Sequence, residues 1–146
     1  MKHFFLLLTT LFCVGCGGYQ TVSITLPDGF VLQARVADTP AKQEKGLMFV
    51  TKLPENEGMI FVFPQETEQL FWMKNTLIDL DMVFIDSAKR VTWVEAEVPH
   101  SYTYTPDDQV AYAAGWGQYV LEIGGKVAAK HGVVPGTKLE FNINQK

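Results

Sequence analysis

Hydrophobic and polar residues alternate with a period of two over most of the chain beyond its N-terminal segment, and this period predicts β-strands. In the first run, the apolar residues Val22, Ile24 and Leu26 are separated by hydroxyl-bearing side chains. A Pro-Asp-Gly turn at 27–29 follows, which predicts a hairpin whose second strand spans 30–37. Further strands are predicted at Met59–Phe63, Leu70–Lys74, Leu80–Ile85, Arg90–Ala96, Gln109–Ala114, Gln118–Ile123 and Thr137–Ile143.

The spacing of these strands, with turn residues between them, predicts the fold class. We expect a single mainly β domain over residues 21–146, built as a compact antiparallel β sandwich or barrel-like sheet. Gly115 and Gly117 lie between two predicted strands, so we expect a turn there.

Two short helices are predicted to accompany the sheet. Pro40–Lys45 is predicted to be helical, because Thr39 can cap its N-terminus and Gly46 can end it. Proline also suits the first position of a helix. The second helix is predicted at 126–131, where a glycine follows directly.

Residues 1–15 have the basic start and short apolar run of a secretory signal peptide. The run at 4–14 is too short for a membrane span, since eleven helical residues rise about 16 Å against a hydrocarbon core of about 30 Å. We therefore expect the protein to be exported.

Residues 13–16 (Cys-Val-Gly-Cys) resemble a bacterial lipobox, in which the last cysteine is acylated and becomes the new N-terminus. This predicts lipidation at Cys16, a short tether over 16–20 and a membrane-anchored lipoprotein that faces the periplasm or the cell exterior. Gly17 lacks the aspartate of an inner-membrane retention signal, which favours the outer membrane if the organism has one. The alternative is cleavage nearby by an ordinary signal peptidase.

The charge and composition argue against a nucleic-acid partner, a cofactor and a bound metal. The 146 residues carry a formal net charge of −4, which argues against a nucleic-acid partner. After processing at Cys16 no second cysteine remains, and His100 and His131 are the only histidines, so we expect no cofactor and no bound metal. The methionines at 48, 59, 73 and 82 lie among Phe and Leu, where core packing is the preferred interpretation over Cu(I) binding.

The candidate binding residues are polar or aromatic side chains within or beside two very apolar runs: Trp72, Lys74, Asn75, Thr76 and Asp81. Lysine and aspartate are seldom fully buried unless they are paired. The preferred interpretation is structural: Asp81 either forms a buried ion pair with Lys74 or accepts backbone N–H groups from the turn at 75–76. The functional interpretation is a polar floor to an apolar cleft, with Trp72 as a wall.

Two further features of the sequence are candidate sites. Asp79 and Asp81 lie about 6.8 Å apart on one side of a strand, within the range of acid/base carboxylates, although turn chemistry at Asp79 is the preferred interpretation. The irregular stretch 99–108 carries His100, Tyr102 and Tyr104, and such stretches can form binding loops. No catalytic residue is assigned from the sequence.

Five motifs together resemble the domain-of-unknown-function 192 family. They are Gly46-Leu47-Met48, Gly58–Phe63, Phe71-Trp72-Met73-Lys74-Asn75-Thr76, Leu80–Asp86 and Tyr119-Val120-Leu121-Glu122. The resemblance covers roughly Val31 to Phe141. It implies a small, mainly antiparallel β domain, commonly exported, without an established activity. Val50 and Asp79 depart from the family pattern, which usually has a basic residue and a proline there.

These observations lead to two hypotheses on function. The first is a non-enzymatic accessory or binding domain for an envelope protein or a small ligand. The alternative is an enzyme that acts on an envelope substrate through Lys74 and Asp81. They differ in whether Lys74 is an ordinary, partnered lysine or one with an altered pKa in an open cleft.

Overall fold

The computed structural model describes residues 18–143. The strands are β1 (Thr21–Thr25), β2 (Val31–Ala37), β3 (Glu57–Trp72), β4 (Leu80–Ile85), β5 (Val91–Val98) and β6 (Tyr112–Gly124). The helices are α1 (Pro40–Lys45) and α2 (Val127–Lys130), and a single 3-10 turn spans Asp107–Gln109. The mainly β class with two short helices is confirmed. The predicted signal peptide and Cys16 lie outside the described residues.

The six strands form one sheet in the order β1-β2-β3-β6-β4-β5. Neighbouring strands are antiparallel except β2 and β3, which pair in parallel with α1 in the connection between them. The sheet is therefore mixed rather than wholly antiparallel, and it does not close into a barrel. No helix within residues 18–143 is long and apolar enough to cross a membrane.

The sheet has a buried apolar layer on each face. In β4 every residue is buried, with Val83 and Ile85 in one layer and Leu80, Met82 and Phe84 in the other. Successive side chains of a strand point to opposite faces, so the alternation in β4 accounts for this division. We call the layer with Val83 the α2 layer and the layer with Met82 the α1 layer, after the helix that lies over each.

The prediction of separate strands at 59–63 and 70–74 was wrong, because β3 continues through the polar residues between them. Thr67, Glu68 and Gln69 pair with β6, whereas residues 64–66 lie in an irregularity where the register shifts between Val62 and Thr67. The backbone N–H and C=O groups of these paired residues are thus satisfied by β6, although their side chains are polar.

The predicted turn at Gly115 and Gly117 was also wrong, since both glycines lie inside β6. A Cβ atom on Gly115 would lie 2.5 Å from Cγ of Phe84, and one on Gly117 would lie 2.7 Å from the carbonyl oxygen of Ile85. Glycine is needed here for close approach to β4, not for a reversal of the chain.

The last predicted strand, at 137–143, forms only isolated bridges, between Thr25 and Glu140 and between Arg90 and Lys138. Thr25 ends β1 and Arg90 precedes β5, so this segment links the two edge strands without pairing along either. Its side chains Leu139 and Phe141 are buried in the α2 layer. An irregular segment therefore joins the edges that a barrel would close by strand pairing.

Candidate functional site

A cavity of about 220 Å³ opens in the α1 layer, between α1, the turn that follows it and β3. Thr39 accepts a hydrogen bond from the backbone N–H of Lys42, and Pro40 is at the first helical position, so the predicted capping residues fix α1 at this edge. About half of the cavity lining is apolar or aromatic: Leu47, Met48, Phe61, Phe63, Leu70, Phe71 and Trp72.

Glu122 supplies a carboxyl group to this cavity from the central strand β6. The residue is only 5% exposed, and no donor within residues 18–143 lies within hydrogen-bonding distance of its Oε2. Burial raises the pKa of Glu122 to about 8, while the positive charge of Arg35 acts in the opposite direction. The carboxyl group is therefore protonated at neutral pH, and its Oε2 has no hydrogen-bond partner among the described residues.

The turn at Lys74 to Thr76 lies beside the cavity and fastens three segments together. The carbonyl oxygen of Asn75 accepts a hydrogen bond of 2.9 Å from the N–H of Phe49, and that of Thr76 accepts one of 2.8 Å from Ser101. Asn75 has a φ of 54°, in the left-handed region that asparagine tolerates better than most residues. Asn75 therefore has a structural role, whereas the buried Thr76 also lines the cavity.

Lys74 pairs with Asp107, and its Nζ lies 5.8 Å from the ring centroid of Trp72. Trp72 is 43% exposed and lines the cavity, so it lies where a cleft wall was predicted. The predicted polar floor is different, because Glu122 provides it rather than Lys74 or Asn75.

Asp81 is completely buried, but its partners are not those predicted. One carboxylate oxygen accepts hydrogen bonds from the backbone N–H groups of Glu97 (2.8 Å) and Lys126 (3.2 Å), and the other accepts from Ala128 (2.8 Å). The predicted Lys74–Asp81 ion pair was therefore wrong, as were backbone donors from the turn at 75–76. The carboxylate instead caps the N-terminus of α2, where Lys126 offers no side-chain acceptor.

Asp81 and the cavity lie on opposite faces of the sheet. Asp81 pairs with Ile123, which belongs to the α2 layer, whereas Glu122 pairs with Met82, which belongs to the α1 layer. Directly paired residues of adjacent strands share a face. The five candidate residues therefore do not form one site, and only Trp72 and Thr76 line the cavity.

Asp79 binds the loop that follows β5 and does not act with Asp81. Its carboxylate accepts a hydrogen bond of 2.9 Å from the backbone N–H of His100 and lies 2.6 Å from the ring Nδ1 of that residue. The backbone N–H of His100, followed by its ring, lowers the pKa of Asp79. In the same loop the rings of Tyr102 and Tyr104 stack with centroids 5.3 Å apart.

A second cluster of titratable groups surrounds His131 at the end of α2. Its ring nitrogens lie 2.7 Å from a carboxylate oxygen of Asp28 and 2.8 Å from one of Glu55, and its ring stacks on Phe30. Hydrogen bonding to Asp28 raises the pKa of His131, with burial opposing and Glu55 adding to the increase. Within residues 18–143, no group of three or more His, Cys, Asp or Glu side chains is arranged to hold a metal ion.

Sequence reasoning missed Glu122 as a site residue, although the signal was present. Glu122 is a single carboxylate inside the apolar run Tyr119–Ile123, and the same kind of interruption singled out Lys74 and Asp81. The sequence pattern could not predict the cavity, because the cavity walls come from α1 and β3, which are far from Glu122 along the chain.

Together, the fold and the cavity define a mainly β protein with one mixed sheet and a ligand-sized cavity on one face. The chain belongs to the DUF192 family, described as an uncharacterized ACR, whose model matches residues 23–141. The family predicted from the motifs is thereby confirmed. No curated protein matches the chain.

Two solved structures are similar to the chain. One is a "putative transcription regulator" from Sinorhizobium meliloti 1021, 30% identical with a TM-score of 0.72, and the match covers 87% of this chain and 98% of that one. The other is a protein of unknown function from Novosphingobium aromaticivorans DSM 12444. It is 38% identical with a TM-score of 0.68, and the match covers 84% of each chain.

Proposed function

We propose that this chain is a lipid-anchored protein of the bacterial envelope whose β domain binds a small ligand, without catalysis, in the cavity that contains Glu122. The observation that carries the proposal is the buried Glu122 carboxyl group with a partnerless oxygen in an aromatic cavity. Ligand sites are typically concave and mostly apolar, with a few polar groups that orient the ligand. A cavity of about 150 Å³ holds benzene, so 220 Å³ suits a small ligand.

The anchored part of the proposal rests on the lipobox resemblance at Cys16. Tyr19 packs against the α1 layer, with its ring centroid 5.8 Å from Cζ of Arg35 and 5.6 Å from Nζ of Lys42. An acylated Cys16 would therefore hold the cavity side of the sheet close to the membrane. The net charge of −4 gives no support to a role on DNA.

The alternative, an enzyme that acts through Lys74 and Asp81, has no such support. The Asp81 carboxylate is buried on the α2 side and accepts three backbone hydrogen bonds. Lys74 pairs with Asp107 near the other face. Two groups held apart in this way cannot act on one substrate.

The proposal is tested by screening small aromatic and aliphatic compounds against the purified protein, with ligand-detected NMR and thermal shift as readouts. Trp72→Ala should weaken binding by about tenfold or more, since it removes a wall of the cavity. Trp93→Ala is the matched control, because Trp93 is also on a strand and is 49% exposed but does not line the cavity. Absence of binders, or equal effects of the two variants, would contradict the proposal.

A further inference from the structure

We propose that the ligand of this cavity is a primary amine on an apolar body, bound as an ammonium ion against the Glu122 carboxylate. This inference rests on the proposed function and names its ligand class. It depends on the hydrogen-bonding state of the cavity lining, on the aromatic wall and on the charges around Glu122.

Gly46 lies against the Glu122 carboxyl group at the edge of the cavity, and Oε2 itself has almost no exposed surface. A Cβ atom built on Gly46 would lie 3.8 Å from Oε2 of Glu122 and 3.4 Å from Cζ of Phe61. Any larger side chain at this position would occupy the space between the carboxyl group and the aromatic wall.

Lys45 is exposed, and the other polar side chains of the lining have already used their donors. The side-chain amide of Gln43 donates to the carbonyl oxygens of Ala37 and Val62, and that of Gln69 donates to Thr67 and Gly117. The Thr76 hydroxyl donates to the carbonyl oxygen of Lys74. These three residues have acceptor atoms left, so they complement a ligand that donates hydrogen bonds.

An ammonium group is the small donor that best matches this lining. It carries three N–H donors and no acceptor, and a carboxylate accepts charge-assisted hydrogen bonds that are stronger than neutral ones. The walls contributed by Phe61, Phe63, Phe71 and Trp72 favour an apolar body, and aromatic rings also attract cations. A hydroxyl group could offer only one donor.

The nearby charge of Arg35 on β2 favours the ionised form of Glu122, which is the form that pairs with an ammonium ion. From α1, Glu44 and Lys45 line the cavity with opposite charges. These two charges offset each other, so the ionised Glu122 carboxylate is the group of the lining that selects the charge of the ligand, and it pairs with an ammonium ion.

Binding of the ammonium form must be coupled to loss of a proton. Glu122 is protonated in the free protein at neutral pH, so the Glu122 proton passes to the solvent when the charged ligand binds. Affinity should therefore rise as pH increases from 6 towards 8. A neutral ligand that hydrogen-bonds to the protonated carboxyl group would release no proton.

The test compares benzylamine with benzyl alcohol, which share a ring and a linker but differ in the polar group. Titration calorimetry on the purified protein at pH 7 should show benzylamine binding at least tenfold tighter, with close to one proton released, measured in two buffers of different ionisation enthalpy. In Glu122→Gln the preference for the amine should disappear, while binding of benzyl alcohol should change little.

The outcomes separate this inference from the proposed function. If benzyl alcohol binds as tightly as benzylamine, or the amine binds without proton release, the ammonium class is wrong while a ligand cavity remains. If neither probe binds but other compounds from the screen bind in a Trp72-dependent manner, the ligand class is again wrong. If no compound binds in a Trp72-dependent manner, the proposed function itself is wrong. Proton release is measured on the unaltered protein, so it tests the inference even if Glu122→Gln does not fold.

Discussion

The carboxylate of Asp81 accepts a hydrogen bond of 2.8 Å from the backbone N–H of Ala128, 47 residues further along the chain. A second bond, from the N–H of Lys126, reaches the other oxygen of the same carboxylate. The short helix α2 is thus capped by a side chain from a central strand and not by its own N-cap residue. This bond fixes α2 against the sheet.

Asp81→Ala should destabilise the protein by about 3 kcal/mol or more, since three backbone donors lose their acceptor and each such loss costs about 1–3 kcal/mol. Lys74→Met is the control and should change stability by less than about 1 kcal/mol, because the Lys74–Asp107 pair is partly exposed. Urea denaturation measures both. The two effects should add in the double variant. If Lys74→Met instead recovered stability in the Asp81→Ala background, an energetic link between the two residues would have to exist.

Glu122→Gln should stabilise the protein at pH 8 and have little effect below pH 4.5. The ordinary pKa of 4.5 rises to about 8 in the folded state, so the unfolded chain loses this proton first and stability falls as pH increases between these values. The gain at pH 8 should be of the order of a few kcal/mol. Denaturation curves of both proteins from pH 4 to 9 measure the difference. A gain that is the same at every pH would show that the carboxyl group is not protonated in the folded state.

His131 should contribute stability that depends on pH in a defined window. Its folded pKa lies above the ordinary 6.5, so its contribution is complete below pH 6.5 and is lost as pH rises through the raised pKa. Its partners Asp28 and Glu55 have lowered pKa values, so their contribution is complete above about pH 4.5 and is lost on further acidification.

The variant His131→Phe tests this pH dependence, because phenylalanine keeps an aromatic ring against Phe30 but cannot titrate. The melting temperature of the unaltered protein should exceed that of the variant most between pH 4.5 and 6.5, and the difference should shrink above pH 6.5. A difference that grows as pH rises would mean that His131 is neutral in the folded protein.

Cys16→Ser tests the anchor. If Cys16 is acylated, the variant should leave the membrane fraction or remain unprocessed, because a serine cannot carry the thioether-linked lipid. Fractionation with immunoblotting and mass spectrometry of the N-terminus measure location and processing. The change Cys13→Ser is the matched control and should remain anchored. Unaltered membrane association and processing of Cys16→Ser would exclude the lipoprotein.

Local features of the sequence predicted those elements whose stabilising contacts are themselves local. Thr39, Pro40 and Gly46 define the ends of α1, and the structure has the helix between them. The predicted bounds of β4, Leu80–Ile85, agree with the structure, because its apolar residues alternate between two covered faces. The motifs around Trp72 likewise identified the family.

Contacts between residues far apart in the sequence determined the features that were not predicted. Gly115 is the residue type of a turn, yet it lies within β6, because the ring of Phe84 packs where its Cβ would be. Asp81 was recognisable as a buried carboxylate that needs partners, but its donors come from β5 and the start of α2. The alternation along a strand determines which residues share a face, whereas only the order of strands in the sheet determines what covers that face. For this reason the sequence by itself determined the mainly β class, the bounds of β4, the first helix and the family. The tertiary structure alone placed Glu122 against the cavity and Asp81 on the opposite face.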